Sequence, residues 1–102
     1  MFSFLKNIFK TQSPVDYQEL IKRGAVILDV RSKGEFQSGH IKGSVNVPVN
    51  RLNEYVGKLN KDKPVITCCA SGARSSAARS MLKSQGFEVY NAGPWTNLRH
   101  LK

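Results

Sequence analysis

The stretch Pro64-Val65-Ile66-Thr67-Cys68-Cys69-Ala70-Ser71-Gly72-Ala73-Arg74-Ser75 decides the reading of this chain. Residues 64–68 form a short, nearly unbroken apolar run, the pattern of a strand buried on both faces in a parallel sheet. Residues 69–74 turn, and residues 75–85, rich in alanine, read as a helix stopped by Gly86. A strand that runs through a tight turn into a helix is half of a β-α-β unit.

Working outward, the same alternation repeats. Residues 25–30 are a second apolar run, and residues 45–48 and 87–90 supply two more strands. Between and around them lie helical patterns. Ser13 reads as a cap, with Pro14 at the first helical position and Asp16 as the acid of a capping box, opening a helix that Gly24 ends. A helical turn or two fits residues 32–38. Residues 50–59 place Leu52, Tyr55, Val56 and Leu59 on one helical side, and residues 95–101 read as a short closing helix. Residues 91–94, Asn-Ala-Gly-Pro, read as a turn. Strands alternating with helices predict an α/β fold with a mainly parallel sheet. Ligands of such sheets bind beyond the carboxyl ends of the strands, and Cys69 falls there.

The bulk numbers narrow the function. A length of 102 residues fits one domain. Lys and Arg together number 16 against 7 acids, a net charge of +9 that favours anionic partners. From residue 63 to residue 87 there is no acid, while Lys63, Arg74, Arg79 and Lys83 all lie there. There is no zinc-finger spacing and no basic tract interleaved with aromatics, so no specific nucleic-acid site is expected. The two cysteines are adjacent, which fits a reducing, cytoplasmic setting better than a disulfide framework. His40 and His100 do not stand at metal-ligand spacing from them. No segment is long enough to span a membrane. Residues 1–10 are apolar but interrupted by Lys6 and Asn7, and are expected to pack locally beside a domain over residues 11–102.

Cys69 carries the chemistry. Gly72 lets the turn curl, Ala70, Ser71 and Ala73 keep its rim clear, and successive N–H groups can converge as an anion-binding nest. The following helix adds partial positive charge, Arg74 a full one, and Ser75 and Ser76 are candidate caps. An ordinary thiol of pKa ~8.5 is only about 3% thiolate at neutral pH. This setting favours the thiolate, and with it a nucleophile. Cys68, the last residue of the strand, should point away from Cys69 into the core.

These residues belong to a wider pattern. Leu28-Asp29-Val30-Arg31 with Glu35-Phe36, Gly39-His40-Ile41-Lys42-Gly43-Ser44 with Asn46-Val47-Pro48, the Cys-x-x-Gly-x-Arg-Ser loop, and Leu82 with Gly86-Phe87 and Val89 stand in one order. Together they resemble the rhodanese family of sulfurtransferases in its short single-domain form. The resemblance implies a three-layer α/β fold with about five strands and helices on both faces. It implies transfer of sulfane sulfur from a small anionic donor such as thiosulfate, through a persulfide on Cys69, to cyanide or a thiol, including a protein thiol. It implies no metal and no organic cofactor, and a monomer. Ala70, Ser71, Gly72, Ala73 and Arg74 would form the cradle. Arg74 would meet the donor or turn back to Glu35. Asp29, Arg31 and Glu35 would form a charged network under the loop, and His40 a hydrogen-bonded structural turn residue.

Two features depart from that pattern. Gly93-Pro94-Trp95 is tight where a longer spacer is usual, and Cys68 replaces a larger residue, leaving open an internal disulfide. A phosphatase or arsenate reductase resembles this site but carries five residues between cysteine and arginine, where this chain has four, Ala70 to Ala73. A carrier that takes persulfide sulfur only from a protein partner is the other alternative, and a non-catalytic module fits poorly with a retained cysteine.

Overall fold

A computed structural model describes residues 15–101. Ser13, Pro14 and the apolar segment over residues 1–10 lie outside the described residues. The element order is α1 (Tyr17–Lys22), β1 (Val26–Asp29), α2 (Lys33–Ser38), β2 (Val45–Asn46), α3 (Leu52–Tyr55), β3 (Val65–Cys69), α4 (Ala73–Ser84) and β4 (Val89–Pro94), closed by a 3-10 turn at Trp95–Leu98. The sheet runs β2-β1-β3-β4 with every pairing parallel. It is the expected α/β architecture, with four strands among the described residues in place of about five.

The central position of β3 explains its composition. All five of its residues are buried, because neighbours flank it on both edges and cores cover both faces. Alternation along the strand deals its side chains to two layers. On one face Leu28, Val30, Val65 and Cys69 pack with Leu52, Ala78 and Leu82, under α3 and α4. On the other, Ile27, Ile66 and Cys68 pack with Leu20, Ala92 and Leu98, under α1 and the closing turn. Ser75, Ala78 and Leu82 are the buried side of α4, the helical spacing that lays it on the sheet.

Several local expectations are corrected. Asp16, read as the acid of a capping box, is itself the cap of α1, its carboxylate accepting from the Glu19 N–H at 3.1 Å. The helix expected over residues 50–59 breaks into 3-10 turns at Val49–Arg51 and Val56–Lys58 around the single turn α3. Without a side-chain cap, and with Gly57 and β-branched Val56 inside it, the segment lacks the propensity for a continuous helix. Residues 91–94 are not a turn but the second half of β4. Their Asn, Gly and Pro are accommodated by a bulge: Thr67 faces Asn91, the next pair is Cys68 with Gly93, and Ala92 is the extra residue. The Gly93 N–H is satisfied by Asn91 Oδ1 at 2.9 Å. The closing segment is 3-10, not α, over Trp95–Leu98. No helix among the described residues is long and apolar enough to cross a membrane.

Candidate active site

Cys69 is the last residue of β3, and its side chain is fully buried at the floor of the loop. The loop curls because Gly72 adopts φ +111°, a left-handed conformation, and becomes the N-cap of α4. The helix thus starts at Ala73, two residues earlier than its sequence pattern suggests. A Cβ on Gly72 would lie 3.5 Å from Gly93 Cα, so the loop rests against the bulged end of β4.

The curl brings donors to the sulfur. The Gly72 N–H donates to Cys69 Sγ at 3.0 Å and the Ser75 N–H at 3.4 Å. The thiol itself donates to Ser75 Oγ at 3.3 Å, and that hydroxyl donates to the Gly72 carbonyl at 3.1 Å. A hydroxyl rotates freely, so in the thiolate state Ser75 can turn its hydrogen to the sulfur. Burial pushes the Cys69 thiol up; the Ser75 hydroxyl and the N–H groups of Ser75, Gly72 and Ser71 outweigh it, and the net displacement is downward from the ordinary thiol value. Cys68 moves the other way. Burial, the Asp29 carboxylate and Cys69 push it up to about 12 against the pull of Arg31. The two neighbours therefore face opposite layers with their thiols displaced in opposite directions, a geometry that does not join them in a disulfide.

Ser75 was legible only as a cap. It is fully buried, holds the sulfur, and has its own carbonyl anchored by Thr67 Oγ1 at 3.0 Å. The signal that could have found it is a hydroxyl on the buried side of α4, in line with Ala78 and Leu82. Ser75→Ala should slow alkylation of Cys69 by iodoacetamide at neutral pH on the order of tenfold, the worth of one hydrogen bond to a charged group. An unchanged rate would remove Ser75 from the sulfur's environment.

Around the loop the predicted residues separate into two groups. Ala70, Ser71 and Ala73 are exposed on the rim. Arg74 turns back to Glu35, Nη1 donating to Oε1 at 2.7 Å and Nη2 to Oε2 at 3.0 Å, a bidentate pair. Glu35 also closes a capping box with Ser32. The Arg74 hydrogen bond, then Ser32, hold its carboxyl down at about 2. The sign follows: the pair's stabilisation is complete above about 4.5, where an unpaired glutamate is ionised, and is lost as pH falls from there through about 2. A carbon-detected titration of the Glu35 carboxyl should find its midpoint well below the ordinary 4.5 of a glutamate; a midpoint at the ordinary value would refute the pairing.

Asp29 and Arg31 lie beneath, 0% and 4% exposed. Arg31 Nε donates to Asp29 Oδ1 at 2.9 Å and Nη2 to Oδ2 at 2.7 Å. The same guanidinium donates to the carbonyls of Glu35 and Gly39 and lies over Trp95, 4.8 Å from its ring centre. Arg31 therefore ties the support of Arg74 to the end of α2 and to the closing turn. His40 sits outside this network: it is exposed, with Nδ1 2.7 Å from the Phe36 carbonyl and its ring stacked on Phe36. Among the described residues no group of three or more His, Cys, Asp or Glu is placed to hold a metal ion.

A family profile described as the rhodanese-like domain matches residues 13–93. The chain belongs to the rhodanese family. Among its curated relatives, the thiosulfate sulfurtransferase GlpE of Ectopseudomonas mendocina is 39% identical over 84 residues, covering 81% of this chain and 77% of the relative. The protein YqhL of Bacillus subtilis is 32% identical over 91 residues, 88% of this chain and 71% of that one. Among solved structures, a rhodanese with anions from E. coli superposes with a TM-score of 0.70 at 26% identity, over 76% of this chain and 94% of that one. With several thiosulfate sulfurtransferases among its relatives at this level, this rhodanese is an enzyme of the sulfurtransferase class.

Proposed function

We propose that this rhodanese takes the outer sulfur of thiosulfate onto Cys69 and passes it, as a persulfide, to cyanide or a thiol. The observation that carries the reading is the setting of Sγ: buried, yet met by the N–H groups of Gly72 and Ser75 and by the Ser75 hydroxyl. Such a setting suits an anionic sulfur and excludes water from it.

In the first step the Cys69 thiolate attacks the sulfane sulfur of thiosulfate. The donor's S–S bond breaks, sulfite leaves with the electron pair, and the new sulfur extends from Sγ into the loop. The negative charge moves one atom outward, toward the N-terminus of the twelve-residue helix α4 and the backbone of the rim. In the second step cyanide or a thiolate attacks that outer sulfur, and Cys69 leaves as the thiolate its donors already stabilise. No general base is needed, because both the nucleophile and the leaving group are anions. Arg74 is engaged by Glu35, so it acts by holding the loop's far side and by its field, and the rim N–H groups receive the donor.

The test loads the reduced protein with thiosulfate and reads its intact mass. A gain of one sulfur atom, discharged by cyanide as thiocyanate, is the expected result. Reduced protein that takes up no sulfur from thiosulfate overturns the reading.

A further inference from the structure

The bulge in β4 is held by two asparagine amides, one from each flank. Asn91 Oδ1 accepts the Gly93 N–H at 2.9 Å, and Asn97 Nδ2 donates to the Ala92 carbonyl, also at 2.9 Å. Between them Gly93 takes φ +78°, a left-handed conformation that glycine adopts without strain. What the bulge touches is the cysteine loop. Gly93 pairs with Cys68 and Pro94 with Cys69 across the sheet, and Gly93 Cα lies 3.5 Å from where a Cβ on Gly72 would stand. Gly72 in turn gives its N–H to Cys69 Sγ at 3.0 Å. Three contacts therefore lead from the Asn91 amide, through main chain alone, to the sulfur.

Asn91 also faces the layer of the nucleophile. It pairs with Thr67, and two residues earlier Val89 pairs with Val65, both packed in the core that holds Cys69. Thr67 Oγ1 lies 3.5 Å from Asn91 Oδ1, too long for a strong hydrogen bond but in contact, and donates to the Ser75 carbonyl at 3.0 Å. Ser75 supplies the second N–H and the hydroxyl at Sγ. One half-buried polar side chain thus adjoins the supports of both residues that hold the sulfur.

We propose that Asn91 is a positioning residue for sulfur transfer: by holding the Gly93 N–H it fixes the bulge against which the loop curls, and so keeps the Gly72 N–H on the sulfur. The role rests on the Cys69 persulfide proposed above. Asn91 acts through Gly93 and Gly72 and not on the reacting atoms. Without its oxygen the Gly93 N–H loses its partner in a part-buried position, and the bulge relaxes to find another. Gly72 has no side chain to wedge it in place and follows the main chain it rests on. The charged forms of Cys69, the thiolate and the persulfide built on it, then lose part of the N–H field that stabilises them.

The experiment compares Asn91→Val with Asn91→Thr, side chains of nearly equal size of which only threonine offers an oxygen to the N–H two residues on. Alkylation of Cys69 by iodoacetamide is followed against pH in protein shown to be folded by circular dichroism. In Asn91→Val the midpoint should move up and the rate at neutral pH fall on the order of fivefold, part of what one hydrogen bond to a charged group is worth. Loading from thiosulfate should slow with it, and Asn91→Thr should recover most of both. The titratable groups around Cys69 are Cys68 and the Glu35–Arg74 pair, and the hydrogen bonds of Asn91 go to none of them, so a moved midpoint reports the N–H groups rather than a changed charge. A residue that only stabilised the fold would lower the urea midpoint and leave the alkylation profile where it was. An unmoved profile in Asn91→Val, an unchanged loading rate, or equal shifts in the two variants overturns the role while leaving the Cys69 reading intact. Should Asn91→Val not fold, Asn91→Ala set against Asn91→Ser carries the same comparison. Wild type that takes up no sulfur from thiosulfate, read first by mass, overturns both.

Discussion

Cys69→Ser should abolish sulfur uptake from thiosulfate, with kcat falling on the order of 10⁵-fold or more, the scale seen when a catalytic nucleophile is itself removed. A serine hydroxyl at the same place would meet the same N–H groups, but those groups stabilise an anion that an alcohol does not form near neutral pH. The informative comparison is Cys68→Ala. Cys68 sits one residue away, is just as buried, and faces Leu20, Ile27, Ile66, Ala92 and Leu98 on the other side of the sheet. With its thiol pushed up to about 12 it stays protonated at neutral pH and has no path to the loop. Cys68→Ala should therefore keep full uptake while losing some stability to the small cavity it leaves. Intact mass after thiosulfate reads both variants. Uptake that persists in Cys69→Ser, or that disappears in a folded Cys68→Ala, would assign the sulfur to the wrong cysteine.

Arg31→Met should destabilise the fold by about 3–5 kcal/mol, because it strands the Asp29 carboxylate in a fully buried position. A domain of this size has ~5–15 kcal/mol in hand, so the variant is expected to unfold at markedly lower urea. The loss is not only of one ion pair. The Arg31 guanidinium also satisfies the carbonyls of Glu35 and Gly39 and covers one face of Trp95. The Asp29→Leu, Arg31→Met double variant removes the orphaned charge along with its partner and should recover a substantial part of the loss. Urea midpoints at neutral pH, followed by fluorescence of the single tryptophan, separate the two. A loss below about 1 kcal/mol in Arg31→Met would mean that water reaches Asp29.

What the sequence makes legible here is whatever is encoded by continuous pattern. The run Val65–Cys69 announces a strand with cover on both faces, and the structure buries all of it. The order of strands and helices gives the parallel sheet, and the adjacency of Cys68 and Cys69 gives their opposite directions. The turn chemistry around residues 91–94 misleads, because Asn, Gly and Pro mark a turn in most contexts, and a bulge that absorbs them leaves no signature of its own. Ser75 is hidden for a related reason. A serine in the first turn of a helix reads as a local cap, and its contact with Cys69 becomes visible only once Gly72 has curled the chain back on itself. The choice of Arg74 between donor and acid is a matter of side-chain direction over residues far apart in sequence, with Glu35 39 positions away.

The contact of Gly72 with Gly93 has a bearing on how such an enzyme can change. On the β4 side the loop abuts main chain, with no side chain between to shrink, swell or swap. A residue added to or dropped from β4 after Asn91, the partner of Thr67, would shift the main chain against which the cysteine loop is folded. On the α2 side the loop meets side chains, Arg74 on Glu35, and beyond them an open rim. Novelty in this molecule therefore has a direction: the half of the mouth bounded by backbone is held to its length, and the half bounded by side chains is where new partners can be accommodated one substitution at a time.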